Sequence, residues 1–187
     1  MKYGGAFFLF ALLGFAFLFD SIGVIRCAVL AALLHEAGHL LAWRPVTGQS
    51  PRLSLSVGGL SLRFMPGYCG RLGETLILAA GPLANLLAAG AGFFLLSMQA
   101  KAAYYLFTGA NLCMGAFNLM PFSFLDGGRL LRLWCLQYGE RVLRATDTLA
   151  GCLLGGYGFY LMTTSRNPIT KISVMLLCGY FFLKRTF

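Results

Sequence analysis

Charge is what this chain has least of. Only 11% of its 187 residues are charged, six of them acidic, and histidine occurs twice. A soluble domain carries about 25% charged residues, so a chain well under half that level and 58% hydrophobic is not built to face water on all sides. Its six cysteines include no CxxC pair, which argues against a thiolate metal ribbon or a disulfide framework and leaves them as small packing residues. Low-complexity tracts, internal repeats and basic runs interleaved with aromatics are also missing. The last absence removes the usual basis for binding nucleic acid.

Long apolar runs are present instead. A helix that crosses a bilayer needs roughly 20 mostly apolar residues, and six windows approach that: Tyr3–Phe19, Ile22–Trp43, Thr75–Ser97, Ala102–Leu119, Leu143–Thr164 and Ile169–Leu183. The first follows Lys2, but no small-x-small cleavage site comes after it in FAFLFDSIG, so it reads as a retained span rather than a signal peptide. The stretch PRLSLSVGGLSLRF alternates apolar and polar residues around Gly58-Gly59, which predicts a β-hairpin between the second and third spans. Such a hairpin either connects helices or offers its edge to an extended peptide. The fourth span ends in NLMPFSFLDGGR, where Pro121 and the glycine pair predict a broken, re-entrant segment. The expected fold is therefore an all-α polytopic membrane protein, one domain over residues 1–187, with about six transmembrane helices, a short hairpin and a break after the fourth helix.

Alternating the connections puts Lys2, Arg44, Arg52, Arg63, Arg71, Arg129, Arg132, Arg141, Arg144, Lys184 and Arg185 on one face and Arg26, Lys101, Arg166 and Lys171 on the other. All fifteen basic residues are then assigned, eleven against four. The positive-inside rule places both termini in the cytoplasm. The net charge of +9 is thus an orientation signal before it is anything else.

Both histidines lie in the second window, as His35-Glu36-Ala37-Gly38-His39. Residues four apart share a helix face, so His35 and His39 can aim two imidazole nitrogens at one ion while Glu36 sits beside them. That is the pattern of a zinc hydrolase, in which the glutamate is the general base. A bare HExxH also arises by chance, but ionisable groups inside a membrane helix are expensive without a function. A haem-binding helix would leave Glu36 unexplained. Gly38 is expected to leave room beside the metal. By Trp43 the span is close to its cytoplasmic end, which puts the ion roughly 6 to 12 Å inside.

A catalytic zinc usually takes a third protein ligand. Asp20, Glu74, Asp126, Glu140 and Asp147 are the carboxylate candidates outside HEAGH. Asp20 and Glu74 flank spans, and Glu140 and Asp147 sit among arginines. Asp126 falls in the break, where it is either a ligand or an N-cap for the following helix.

HEAGH, followed by Asn118-Leu119-Met120-Pro121 and Asp126-Gly127-Gly128, resembles the site-2 protease family of intramembrane zinc metalloproteases, and AAGPLANL from Ala79 looks like its intervening signature. The motif order is most similar to the compact sporulation-type branch, which cleaves a membrane-associated sigma-factor precursor. The resemblance implies that His35, His39 and Asp126 bind Zn²⁺, that Glu36 activates water, and that Asn118 positions substrate or the developing oxyanion. It also implies a membrane-embedded protein substrate and a bacterial cell membrane. Neither a PDZ domain between the motifs nor a nucleotide-binding CBS domain after them is present in these 187 residues. The rival reading is a metal transporter or other non-proteolytic metal-binding membrane protein, which would more often distribute its ligands along a path. A structural membrane subunit is the third. Substrate identity, oligomeric state and regulation have no signal in the residues.

The orientation is directly testable. In a background without the native cysteines, single cysteines near Lys101 and Arg166 are expected to react with an impermeant reagent added outside, and one near Lys184 to be spared. The opposite labelling pattern would invert the topology.

Overall fold

The computed structural model describes residues 20–49, 53–56, 59–62 and 69–164. Four helices dominate them: α1 (Val24–Thr47), α2 (Gly70–Met98), α3 (Ala102–Asn118) and α4 (Asp126–Thr164). Two strands, β1 (Leu53–Ser56) and β2 (Gly59–Leu62), lie between α1 and α2.

The start of α1 is set by a residue outside it. The Asp20 carboxylate accepts hydrogen bonds from the backbone N–H groups of Gly23, Ile25 and Arg26 at 3.0, 3.2 and 2.9 Å, and from Arg26 Nε at 3.1 Å. Donors that the first helical turn leaves without partners are thereby satisfied. Burial by itself would raise the Asp20 pKa, but the bonds from Arg26, Ile25 and Gly23 outweigh it and hold the carboxyl below its ordinary range. The helix ends at Gly48, whose left-handed φ of 69° lets its N–H reach Arg44 O at 2.9 Å.

Helix α2 packs against both α1 and α3, α1 also touches α3, and α4 packs on α2. At 1.5 Å per residue, the 24 residues of α1 span about 36 Å and the 29 of α2 about 44 Å, enough to cross a hydrocarbon core of about 30 Å. The distribution of side chains is inverted relative to a soluble bundle. Leu33, Leu41, Leu87 and Phe94 are exposed, whereas His35, His39, Asn85, Thr108, Asn111 and Asp126 are buried. Apolar outside and polar inside is what a lipid solvent selects.

The expected architecture needs correction. Among the described residues only α1 and α2 are long and apolar enough to cross a membrane, not six helices. The first and sixth windows lie outside the described residues. The fourth, α3, has 17 residues and reaches only about 25 Å. The fifth is absorbed into α4, which starts already at Asp126 and carries Arg129, Arg132, Glu140, Arg141, Arg144 and Asp147 before its uncharged end. In place of a re-entrant segment there is a short turn over residues 119–125, closed by Met120 N–H to Phe117 O at 3.0 Å and Leu125 N–H to Phe122 O at 3.0 Å. The strands β1 and β2 pair antiparallel, Leu53 opposite Leu62 and Ser56 opposite Gly59. A ribbon of four residues per strand has little independent stability. The helices carry the fold.

The 39 residues of α4 are not one rod. At Leu136 the backbone takes φ 39° and ψ −120°, and the chain doubles back. Arg132 Nε meets Glu140 Oε1 at 2.6 Å, although residues eight apart in a straight helix are about 12 Å apart along the axis. The returning half holds the turn before Asp126: Thr146 Oγ1 donates to Pro121 O at 2.6 Å, and Ser123 N–H donates to Asp147 Oδ1 at 3.2 Å.

A positive φ at a leucine is strained by roughly 1 to 3 kcal/mol. Because Leu136 is exposed, Leu136→Gly removes little packing. It is expected to raise the unfolding free energy in detergent by about 1 kcal/mol, measured by thermal or denaturant melts, and Leu136→Val to lower it. A glycine variant less stable than the parent would refute the strained reversal.

A candidate metal centre between three helices

Helical spacing brings the two imidazoles of HEAGH to one side of α1, where their rings meet edge to face with centroids 4.7 Å apart. The first residue of α4 completes the group. His35 Nε2 and His39 Nε2 lie 3.1 Å apart, and Asp126 Oδ2 lies 3.0 Å from the first and 3.2 Å from the second. All three residues are buried, and among the described residues they form the one cluster able to supply three ligand atoms to a metal.

The triangle fits zinc. Ligand atoms 2.0–2.1 Å from a tetrahedral zinc are about 3.3 Å from one another, close to the three separations found. The donor chemistry fits as well. His39 Nδ1 lies 2.7 Å from Ile77 O, a carbonyl that can only accept, so that nitrogen carries a proton, and the ring in its neutral form offers its Nε2 lone pair to the cluster. His35 Nδ1 lies 2.8 Å from Asn85 Oδ1. Two imidazole nitrogens and a carboxylate oxygen converging in a buried site form a donor set that suits a divalent cation.

The glycine beside the metal is not the expected one. A Cβ at Gly38 would run into Ala80 O and lie 2.8 Å from the Ala84 Cβ, so Gly38 serves the contact between α1 and α2. Gly81, the glycine of AAGPLANL, faces the imidazoles. A Cβ there would collide with His39 Nε2, come to 2.5 Å from its Cε1 and to 2.9 Å from His35 Cε1.

The remaining site residues are placed as follows. Glu36 is half-buried on α1, next to His35 in sequence. Asn118, at the end of α3, is also half-buried, and its Nδ2 donates to Met114 O of its own helix at 3.0 Å. Of the other carboxylates, Asp20 caps α1, Glu140 pairs with Arg132, and Asp147 accepts from Ser123. Sequence reasoning missed Asn85 and Gly81 as site residues, although both lie in the AAGPLANL stretch. The available signal was an asparagine in the middle of an apolar helix, a residue type that is costly there without a partner.

No family model matches the chain. It is 29% identical over 192 aligned residues to a protein named zinc metalloprotease Rip3 of Mycobacterium tuberculosis, with 80% of this chain and 47% of that protein aligned. It is 30% identical over 134 residues to a zinc metalloprotease of Methanocaldococcus jannaschii, covering 67% of this chain and 39% of that one. The chain thus spans less than half the length of these curated relatives. In structure it is similar to the site-2 protease from Methanocaldococcus jannaschii, with a TM-score of 0.60 at 20% identity over 96% of this chain and 86% of that one.

Asp126 separates a metal ligand from a helix-start residue. Asparagine serves a helix start about as well as aspartate but lacks the anionic oxygen. Asp126→Asn is expected to lower zinc affinity on the order of tenfold or more while the protein still accumulates, as read by zinc content after dialysis. Full zinc retention would remove Asp126 from the ligand set.

Proposed function

We propose that this chain, which belongs to the site-2 protease family, is an intramembrane zinc endopeptidase that hydrolyses a peptide bond in or near a transmembrane segment of a membrane-associated protein. The observation that carries the reading is the buried triangle of two imidazole nitrogens and one carboxylate oxygen, 3.0 to 3.2 Å on each side, with both imidazoles on a helix long enough to cross a bilayer. A transport function would more naturally use ligands strung along a path than one compact cluster.

In this reading residues 1–187 act as a single protease domain. His35, His39 and Asp126 hold zinc, which supplies Lewis acidity toward water and the scissile carbonyl. The Glu36 carboxylate takes the proton from the attacking water and passes it to the departing amide nitrogen, as a general base that becomes a general acid. Asn118 turns its amide from Met114 O toward the substrate and steadies the carbonyl oxygen as negative charge develops there. The apolar exterior seats the domain in the bilayer, and the burial of His35, His39 and Asp126 shields the cluster from bulk solvent. Both termini face the cytoplasm of a bacterial cell, and a regulatory protein of the sigma-factor-precursor type is the proposed substrate class. The support for the orientation is the distribution of basic residues, eleven on one face and four on the other, out of fifteen.

Glu36 touches the chemistry without being needed to hold the ion. Glu36→Gln is expected to keep the zinc content of the parent and to reduce cleavage of a co-expressed single-span substrate roughly 10² to 10⁴-fold. Undiminished cleavage would end the general-base assignment.

A further inference from the structure

Asn85 and Asn111 have no exposed surface at all, yet they sit in apolar helices. Buried amides are costly unless their polar atoms are paired, and here the partners fix the direction of every bond. Asn111 Nδ2 donates to Phe107 O at 2.9 Å, and a carbonyl only accepts, so the other end of that amide, Oδ1, is the atom facing Asn85. Asn85 Nδ2 uses its two hydrogens on Asn111 Oδ1 at 2.9 Å and on Ala31 O at 2.8 Å. What remains of Asn85 is Oδ1, an acceptor, 2.8 Å from His35 Nδ1. The proton between them therefore belongs to His35, whose ring in its neutral form presents the Nε2 lone pair 3.0 Å from Asp126 Oδ2.

We infer that Asn85, held in turn by Asn111, is a positioning residue that sets the tautomer and the ring plane of His35 for zinc. The chain Phe107–Asn111–Asn85–His35 runs from α3 through α2 to α1, so the ligand is oriented by the packing of all three helices. His39 receives the same service from the Ile77 carbonyl, which no side-chain substitution removes. Asn85 is the side chain through which the affinity of the site is set. Partners of this kind typically change metal affinity 10- to 100-fold when removed.

The inference rests on the zinc reading above, and the test separates the two. Zinc affinity of the full chain in detergent is measured by competition with a chromophoric chelator, and Co²⁺-loaded protein is examined by visible absorption. Asn85→Leu, close in size but without an acceptor, is expected to weaken zinc about 10- to 100-fold and to alter the Co²⁺ bands. Asn85→Asp keeps an oxygen facing His35 Nδ1 but gives up the donors to Asn111 Oδ1 and Ala31 O, and is expected to weaken zinc by a smaller factor than Asn85→Leu does. Asn111→Leu touches no ligand but frees Asn85, and is expected to weaken zinc by a smaller factor. A role in helix packing alone would instead make Asn85→Leu and Asn85→Asp behave alike. A parent that binds zinc, with an Asn85→Leu variant of equal affinity and unchanged bands, overturns this inference and leaves the protease reading standing. A parent that binds no zinc overturns both. If Asn85→Leu does not accumulate, Asn111→Leu decides: parent-like affinity and bands refute the positioning role, and weakened zinc with altered Co²⁺ bands supports it.

Discussion

Two imidazole nitrogens and a carboxylate oxygen converge on one point in a buried site, and with both rings neutral their lone pairs repel the carboxylate and one another unless a cation lies between them. That constraint organises the rest of the described structure. Each ring must spend its Nδ1 proton on a fixed acceptor so that Nε2 stays free, and the acceptors come from α2: the Ile77 carbonyl behind His39 and the Asn85 amide behind His35. Because α2 must come close enough to provide them, small residues line the contact, Gly38 against the Ala80 carbonyl and Gly81 against the imidazoles.

The third member of the cluster comes from 91 residues beyond His35. A carboxylate delivered from that distance has to be held by its own support. Asp126 opens α4 after a seven-residue turn, and the same helix reverses at Leu136 so that Thr146 and Asp147 bond back to Pro121 and Ser123 of that turn. The charges along α4 have a matching explanation. Arg132 and Glu140 pair across the reversal, at some remove from the metal cluster. The arginines of this region belong to a helix whose first half carries Asp126 and whose second half bonds back to the turn before it.

Burial in this protein runs opposite to that of a water-soluble fold, and the energetics follow. Association of α1, α2 and α3 gains little from removing apolar surface from lipid, so close packing at small residues and hydrogen bonds between buried polar side chains carry more of the specificity. Asn85 bonds to Ala31 of α1 and to Asn111 of α3, so one amide joins the three helices and orients a metal ligand at the same time.

The local features were legible in the amino-acid order because they depend on spacing within one segment. The four-residue interval of His35 and His39, the glutamate between them, and Asp126 beside a proline and two glycines all follow from chain geometry and residue chemistry. Helix lengths were legible less well. Hydropathy windows count apolar residues without knowing where a helix starts or reverses, so the window over 143–164 concealed a helix that begins at Asp126 and turns at Leu136. Which glycine faces the metal, which carbonyl and which amide hold the imidazoles, and which threonine and aspartate hold the turn were beyond the sequence. Those assignments depend on the rotation and separation of packed helices. Periodicity says which residues share a face of one helix, but only tertiary packing decides which faces meet.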